Sequence, residues 1–258
     1  MTSRPTSSES AWNYVWLVLL LSIPFWLIGA WVDPQFMPFN LPASALMAFN
    51  PAIAALILTY REHGWDGIRH LLPRPLDGWR IRHPVWYLPI FGLLPLVTVA
   101  SFAVMNLTGK PTPTLDTALI RAPLVFLLFF ITAAGEELGW QGYAFPALQK
   151  RFQTLRAGLI LGLIWAVWHW IPFLQAQQML DWILWHSLVT IGLRLLIVWV
   201  CVHTGGSIFA ASALHAMSNV STLLLTQDGL YYDPFITSLF MALLLVAIGW
   251  WEYRMANA

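Results

Sequence analysis

Long apolar runs constrain the fold of this chain more than any other feature of its sequence. A helix needs about 20 apolar residues to cross a bilayer. Runs of that order occur at residues 12–31, 41–60, 84–105, 118–148, 157–173, 182–202, 207–225 and 235–251. They are far longer than barrel strands and do not alternate polar with apolar residues. We therefore predict an all-α, polytopic integral membrane protein with about eight transmembrane helices.

Composition agrees with this class. The chain is 59% hydrophobic and 10% charged, whereas a soluble domain carries about 25% charged residues. A single cysteine, Cys201, excludes an internal disulfide. We predict a disordered polar N-terminus over residues 1–11 and one transmembrane domain over 12–253. The expected location is a cell membrane, in contact with lipid and not with nucleic acid.

The positions of Lys and Arg predict the orientation. Cytoplasmic segments of membrane proteins carry the excess of these residues. With a cytoplasmic N-terminus, the cytoplasmic side receives Arg4, Arg61, Arg69, Arg74, Arg80, Arg82, Lys150, Arg151, Arg156 and Arg254. The opposite side receives Lys110 and Arg121, and Arg194 lies deep in the sixth run. Both termini are therefore predicted to be cytoplasmic.

Three sets of polar residues lie inside apolar runs of the second half. Glu136 and Glu137 follow an uncharged stretch over residues 122–134, and His169 lies within the fifth run. His215 and Asn219 are four residues apart in the seventh run, so they share one helix face. Because ionisable groups are costly in hydrocarbon, such residues are functional candidates.

Two kinds of chemistry suit these side chains. A carboxylate and an imidazole can activate water as general bases, while a second imidazole and an amide can stabilise an oxyanion. Alternatively, Glu136, His169 and His215 could hold a divalent metal such as zinc, with a bound water as nucleophile. A buried glutamate pair also occurs in proton- or ion-coupled carriers, and spacing alone leaves these alternatives open.

The order and spacing of these residues resemble the CPBP intramembrane proteases, a family that includes type II CAAX prenyl endopeptidases and bacteriocin-processing and Abi-type proteins. Glu136-Glu137-Leu-Gly-Trp-Gln141 is similar to the family's Glu-Glu-x-x-x-Arg. Trp165-Ala-Val-Trp-His169 is similar to Phe-x-x-x-His, and His215-Ala-Met-Ser-Asn219 to His-x-x-x-Asn. The resemblance covers roughly residues 120–225.

The resemblance implies a role for each matching residue. Glu136 and His169 are expected to activate water against a peptide bond. His215 and Asn219 are expected to stabilise the oxyanion or, in a metalloprotease, to contribute in part to metal binding. Glu137 is expected to be a supporting carboxylate that does not itself react.

One motif position departs from the family, since Gln141 stands where the family has Arg. An Arg there would hold the neighbouring glutamate ionised. Either Arg194 supplies the missing charge, or the site is impaired. The interpretation that the sequence favours for Arg194 is snorkelling towards the cytoplasmic interface.

We therefore predict an intramembrane endopeptidase that cuts a membrane-associated protein or peptide, lipidated or not, near the cytoplasmic half of the bilayer. One alternative is a catalytically impaired relative that acts as a membrane-bound partner in secretion, bacteriocin immunity or phage defence. The other is a proton- or ion-coupled carrier.

Overall fold

The computed structural model describes residues 7–33, 37, 41–113, 120–227 and 230–257. Throughout this part of the chain the regular elements are helices, and eight segments are long and apolar enough to cross a membrane. The predicted all-α class with eight spans is thereby confirmed. Of the residues predicted to be disordered, 1–6 lie outside the described part, as do residues 118 and 119 at the predicted start of the fourth span.

Ten α-helices build the eight spans. They are α1 (Ser7–Gly29), α2 (Asn50–Leu71), α3 (Tyr87–Leu107), α4 (Ala122–Gly139), α5 (Phe145–Gln149), α6 (Thr154–Trp168), α7 (Trp170–Gln175), α8 (Leu180–His203), α9 (Ile208–Val220) and α10 (Pro234–Ala256). Two pairs of helices, α4 with α5 and α6 with α7, each form one span.

Irregular turns interrupt the spans beside the polar residues. A π-helical turn, Trp140–Ala144, follows α4 directly after the glutamate pair, and a second one, Ser221–Leu225, follows α9. His169 separates α6 from α7. π-helical turns often occur at functional sites because they re-aim the side chains around them. All three irregularities here adjoin predicted site residues.

Close helix packing fixes α4 in the centre of the bundle. α4 packs mainly against α9 and α2, and α8 packs against α6 and α10. At Gly139 a Cβ atom would lie 2.3 Å from the Pro51 carbonyl oxygen and 2.2 Å from the Tyr14 hydroxyl. Only glycine permits this approach, because such distances are far inside van der Waals contact. Small residues at contacts are how membrane helices approach each other.

Contacts between connections define two ends of the bundle. At one end, the connection between α2 and α3 reaches the connection between α8 and α9, where Arg74 and Arg80 donate to the carbonyls of Gly206 and Gly205. We call this the arginine-rich end. At the opposite end, Lys110 pairs with Asp233 and Gln175 donates to the Trp26 carbonyl.

Asp77 anchors the start of α9 at the arginine-rich end. Its Oδ1 accepts the Ser207 hydroxyl at 2.9 Å and the Phe209 N–H at 3.1 Å. Ser207 is itself the N-cap and accepts the Ala210 N–H. These bonds satisfy N–H groups that a helix start leaves unpaired, and they fix the helix that carries His215 and Asn219.

Candidate active site

Both glutamates lie at the C-terminal end of α4, and both are buried. The exposed fraction is 6% for Glu136 and 0% for Glu137. Their polar partners come from three other helices, α6, α8 and α9, so the glutamate pair contacts segments that are distant in sequence. Buried carboxylates of this kind require partners, because an unpaired charge costs several kcal/mol.

Glu137 uses both of its oxygens in polar contacts. Arg194 Nη1 donates to Oε2 at 2.5 Å, and His215 Nδ1 donates to Oε1 at 2.9 Å. α4, α8 and α9 are therefore joined through one carboxylate. Both carboxylate oxygens of Glu137 are thus engaged by N–H donors of other helices.

The favoured interpretation of Arg194, snorkelling to the interface, is wrong. Arg194 is fully buried. At the α-helical rise per residue, it lies about 14 Å along the helix axis from the C-terminal end of α8. Its guanidinium instead forms an ion pair with the Glu137 carboxylate, and its Cζ lies 4.1 Å from the centre of the Trp165 ring. The ion pair and the aromatic face together compensate its removal from water.

Trp165 is the common neighbour of the site residues. Its indole N–H donates to Oε2 of Glu136 at 2.7 Å. Its ring makes edge contacts with the imidazoles of His169 and His215, at centroid distances of 5.3 and 5.0 Å. Sequence analysis identified Trp165 only as a motif position and did not predict its contacts with Glu136 and His215. The available signal was its spacing, one helical turn before His169.

The hydrogen bond of His169 fixes its tautomer. Nδ1 lies 2.8 Å from the Trp165 carbonyl oxygen, and a carbonyl can only accept. Nδ1 therefore carries the proton, and in the neutral ring Nε2 is the basic nitrogen. A neutral imidazole held in this way is suited to accept and return a proton.

A cavity of about 380 Å³ lies beside the predicted residues, and neither glutamate is among its lining residues. His169, His215 and Asn219 all line it, together with Trp165. Asn219 lies one turn beyond His215 on the same face of α9, as the spacing predicted. Sequence reasoning did not identify His186 and Tyr232, which also line the cavity and are joined by a 2.9 Å hydrogen bond from the Tyr232 hydroxyl to His186 Nδ1 or the reverse.

Gln141 lies apart from this cluster. It is buried, and within the described residues its amide forms no hydrogen bond to either glutamate. It lies near the Cys201 thiol instead. The charge that the motif's Arg would bring comes here from Arg194, on a different helix.

A metal site requires several ligand side chains that lie close together. In the part of the chain that the structure describes, no three His, Cys, Asp or Glu side chains are grouped to hold a metal ion. Glu137 is already saturated by Arg194 and His215. The zinc set of Glu136, His169 and His215 stays a prediction, and no chemical step below depends on it.

Comparison with known proteins points to one family. Residues 118–221 match the family described as "Type II CAAX prenyl endopeptidase Rce1-like". A segment of 47 residues is 47% identical to "CAAX prenyl protease 2" of Methanococcus maripaludis, and this match covers 18% of the present chain and 17% of that relative. The matched family region contains both glutamates, His169, Arg194, His215 and Asn219.

Proposed function

Since residues 118–221 match the Rce1-like family of type II CAAX prenyl endopeptidases, we propose that this membrane protein is an intramembrane endopeptidase with Glu136 as its general base. The observation that supports this most is the convergence on Trp165 of Glu136, His169 and His215, which come from α4, the junction of α6 with α7, and α9. Such a convergence within the span of a bilayer supplies acid–base groups where water is otherwise scarce.

The reaction begins with a water molecule between Glu136 and His169. Oε2 of Glu136 accepts the Trp165 N–H, so its other oxygen is the one that takes a proton from water. The resulting hydroxide oxygen attacks the carbonyl carbon of the scissile peptide bond. The carbonyl oxygen becomes an oxyanion in a tetrahedral intermediate.

Stabilisation of that oxyanion falls to α9. The Asn219 amide donates a hydrogen bond, and His215 donates from Nε2 when its ring is protonated. Glu137 holds His215 through Nδ1 and fixes the orientation of its ring. Donors of this kind are worth about 3–4 kcal/mol each in hydrolases. Collapse of the intermediate breaks the C–N bond, and the amine leaves with the proton held by Glu136 or His169.

Arg194 and Glu137 are positioning residues in this scheme. Neither needs to touch substrate. Arg194 keeps Glu137 ionised and Trp165 in place, and Glu137 orients His215. This arrangement replaces the charge that Gln141 lacks, which argues against an impaired site.

The test is cleavage by purified protein in proteoliposomes of a library of peptides that carry one membrane-spanning segment. We expect products with the unmodified chain and none with Glu136→Ala or His169→Ala at unchanged folding. Absence of products with the unmodified chain as well would favour the partner role. Solute uptake lost in the same variants would favour a carrier.

Metal dependence is tested on the same preparation. With both Glu137 oxygens engaged by Arg194 and His215, we expect turnover to survive chelation with EDTA or 1,10-phenanthroline. Loss of turnover that zinc restores would instead support the Glu136, His169 and His215 metal set.

A further inference from the structure

A second cavity of the molecule is a groove on the outer surface of the bundle. Its volume is about 740 Å³, within the roughly 300–1,000 Å³ that is usual for small-molecule sites. α3 and α10 supply most of its lining, and α8 supplies Trp199. No described lining residue is charged, and none also lines the cavity beside His169 and His215. The groove is therefore separate from the candidate active site.

The groove follows one face of α3. Leu88, Gly92 and Leu96 all line it, and their spacing of four residues places them on the same side of the helix. Leu88 is 72% exposed and Leu96 is 64% exposed. At Gly92 a Cβ atom would meet no atom within 4 Å. Because α3 and α10 are both membrane spans by length and composition, the open space along this face lies against lipid and not against water.

Three indoles mark one end of the groove. Trp86 lies directly before α3, and Trp251 lies near the end of α10. Their rings lie 5.0 Å and 6.4 Å, between centroids, from the ring of Trp199. Tryptophan is enriched where a membrane meets water, with its ring at the level of the lipid headgroups. This end of the groove is therefore at headgroup depth, on the side of the arginine-rich end.

A polar pair lies beside these indoles. His203 Nε2 is 3.0 Å from Glu252 Oε1, and the Trp199 N–H donates to the same oxygen at 2.7 Å. The His203 ring lies 4.9 Å from the Trp86 ring, between centroids. The groove thus passes from a wholly apolar lining to polar groups at one end. A phospholipid has the same succession, from its acyl chains to its headgroup.

Two arginines add positive charge at the polar end. Arg82 precedes the lining residue Val85 by three positions, and Arg254 follows Trp251 by three. Both arginines are exposed, and in the part of the chain that the structure describes neither has a carboxylate partner. Basic side chains at the membrane surface attract anionic lipid headgroups.

We propose that this groove binds an anionic phospholipid, with an acyl chain along the Leu88, Gly92 and Leu96 face and the headgroup phosphate beside Arg82 and Arg254. The apolar lining selects the chain, and the two arginines select the charge. A zwitterionic lipid carries a cation next to its phosphate, which the arginines would repel. The site does not depend on the proposed endopeptidase function, since it shares no lining residue with the cavity of the candidate active site.

The position of the acyl chain is tested by filling the groove. Gly92→Leu places a side chain in its open space, whereas Gly249→Leu adds the same side chain to α10 at a position that also has no atom within 4 Å of a Cβ but does not line the groove. Delipidated protein in detergent is titrated with phosphatidylglycerol, and bound lipid is counted by native mass spectrometry.

We expect one tightly bound phosphatidylglycerol on the unmodified chain and on Gly249→Leu. Binding to Gly92→Leu should be at least about tenfold weaker, because each methylene displaced from the groove weakens binding roughly fourfold. Equal affinities of the two variants would overturn the proposed site. Should Gly92→Leu fail to fold, Ala247→Leu fills the same groove from α10.

The choice of headgroup is tested by comparing phosphatidylglycerol with a phosphatidylcholine of the same chains. Each arginine near the surface should strengthen binding of the anionic lipid roughly fivefold, so the unmodified chain should prefer it at least about tenfold. The double variant Arg82→Gln with Arg254→Gln should lose this preference. Arg151→Gln with Arg156→Gln, which removes two exposed arginines beside α6, should keep it. Equal binding of the two lipids by the unmodified chain would overturn the anionic assignment.

Discussion

Arg194 of α8 donates a 2.5 Å hydrogen bond to Glu137 of α4, and neither side chain has any exposed surface. The residues are 57 positions apart in sequence. The pair provides, between two helices, the charge compensation that the related motif provides within one. Because Glu137 also holds His215, a change at Arg194 is transmitted to α9.

Removal of the Arg194 charge should destabilise the fold and slow the reaction. For Arg194→Gln we expect a loss of about 3–5 kcal/mol of stability, since breaking a buried pair leaves Glu137 uncompensated. Turnover should also fall, because His215 loses a fixed partner. Thermal unfolding in detergent and cleavage rates measure the two effects.

The motif position offers a rescue variant. Gln141→Arg in the Arg194→Gln background returns the charge to the helical segment that carries Glu137, four residues further on. We expect it to recover part of the lost stability, whereas Gln141→Arg alone should destabilise by adding an unpaired charge. Arg194→Gln with unchanged unfolding temperature and turnover would contradict the pairing account.

Trp165→Phe tests the indole hydrogen bond to Glu136. The substitution keeps an aromatic ring between the two imidazoles but removes the N–H donor. Hydrogen bonds to charged groups are worth about 1.5–3 kcal/mol, so kcat should fall roughly ten- to a hundredfold.

Trp168→Phe is the matched control for that variant. It also loses an indole hydrogen bond, here to the Ser22 hydroxyl at 2.9 Å, but it touches neither glutamate through that bond. We expect it to lower stability and leave kcat near the unmodified value. Equal effects of both substitutions on kcat would mean that the Trp165 bond has no special role.

The sequence allowed the membrane class, the eight spans and the shared face of His215 and Asn219 to be predicted. Each of these follows from a local property, either the length of an apolar run or a four-residue spacing on a helix. The helix bounds differed by a few residues, as at α8, which begins at Leu180 and not at residue 182.

The interhelical contacts could not be obtained in this way. Whether Arg194 pairs with Glu137 or reaches the interface depends on how α4 and α8 pack, which no local pattern encodes. The same holds for Trp165, whose N–H reaches a glutamate 29 residues earlier in the chain. The π-helical turn at Trp140–Ala144 also lacks a local signal in the sequence.

Packing of α4 against its neighbours can be tested at Gly139. Gly139→Ala should destabilise the protein by about 1–3 kcal/mol, the usual cost of overpacking, because the new Cβ meets the Pro51 backbone. Gly92→Ala is the matched control in α3, where a Cβ meets no atom within 4 Å. There we expect no loss, since alanine favours helix. Equal unfolding midpoints for the two variants would contradict the close contact.

The most direct test compares Glu136→Gln with Glu137→Gln on a peptide substrate that the unmodified chain cleaves. Glu136→Gln removes the general base, so kcat should fall at least about 100-fold with an unchanged unfolding midpoint. Glu137→Gln removes a charge that Arg194 requires, so its unfolding midpoint should fall as well. Glu136→Gln with the turnover of the unmodified chain would contradict the central claim that Glu136 activates the attacking water.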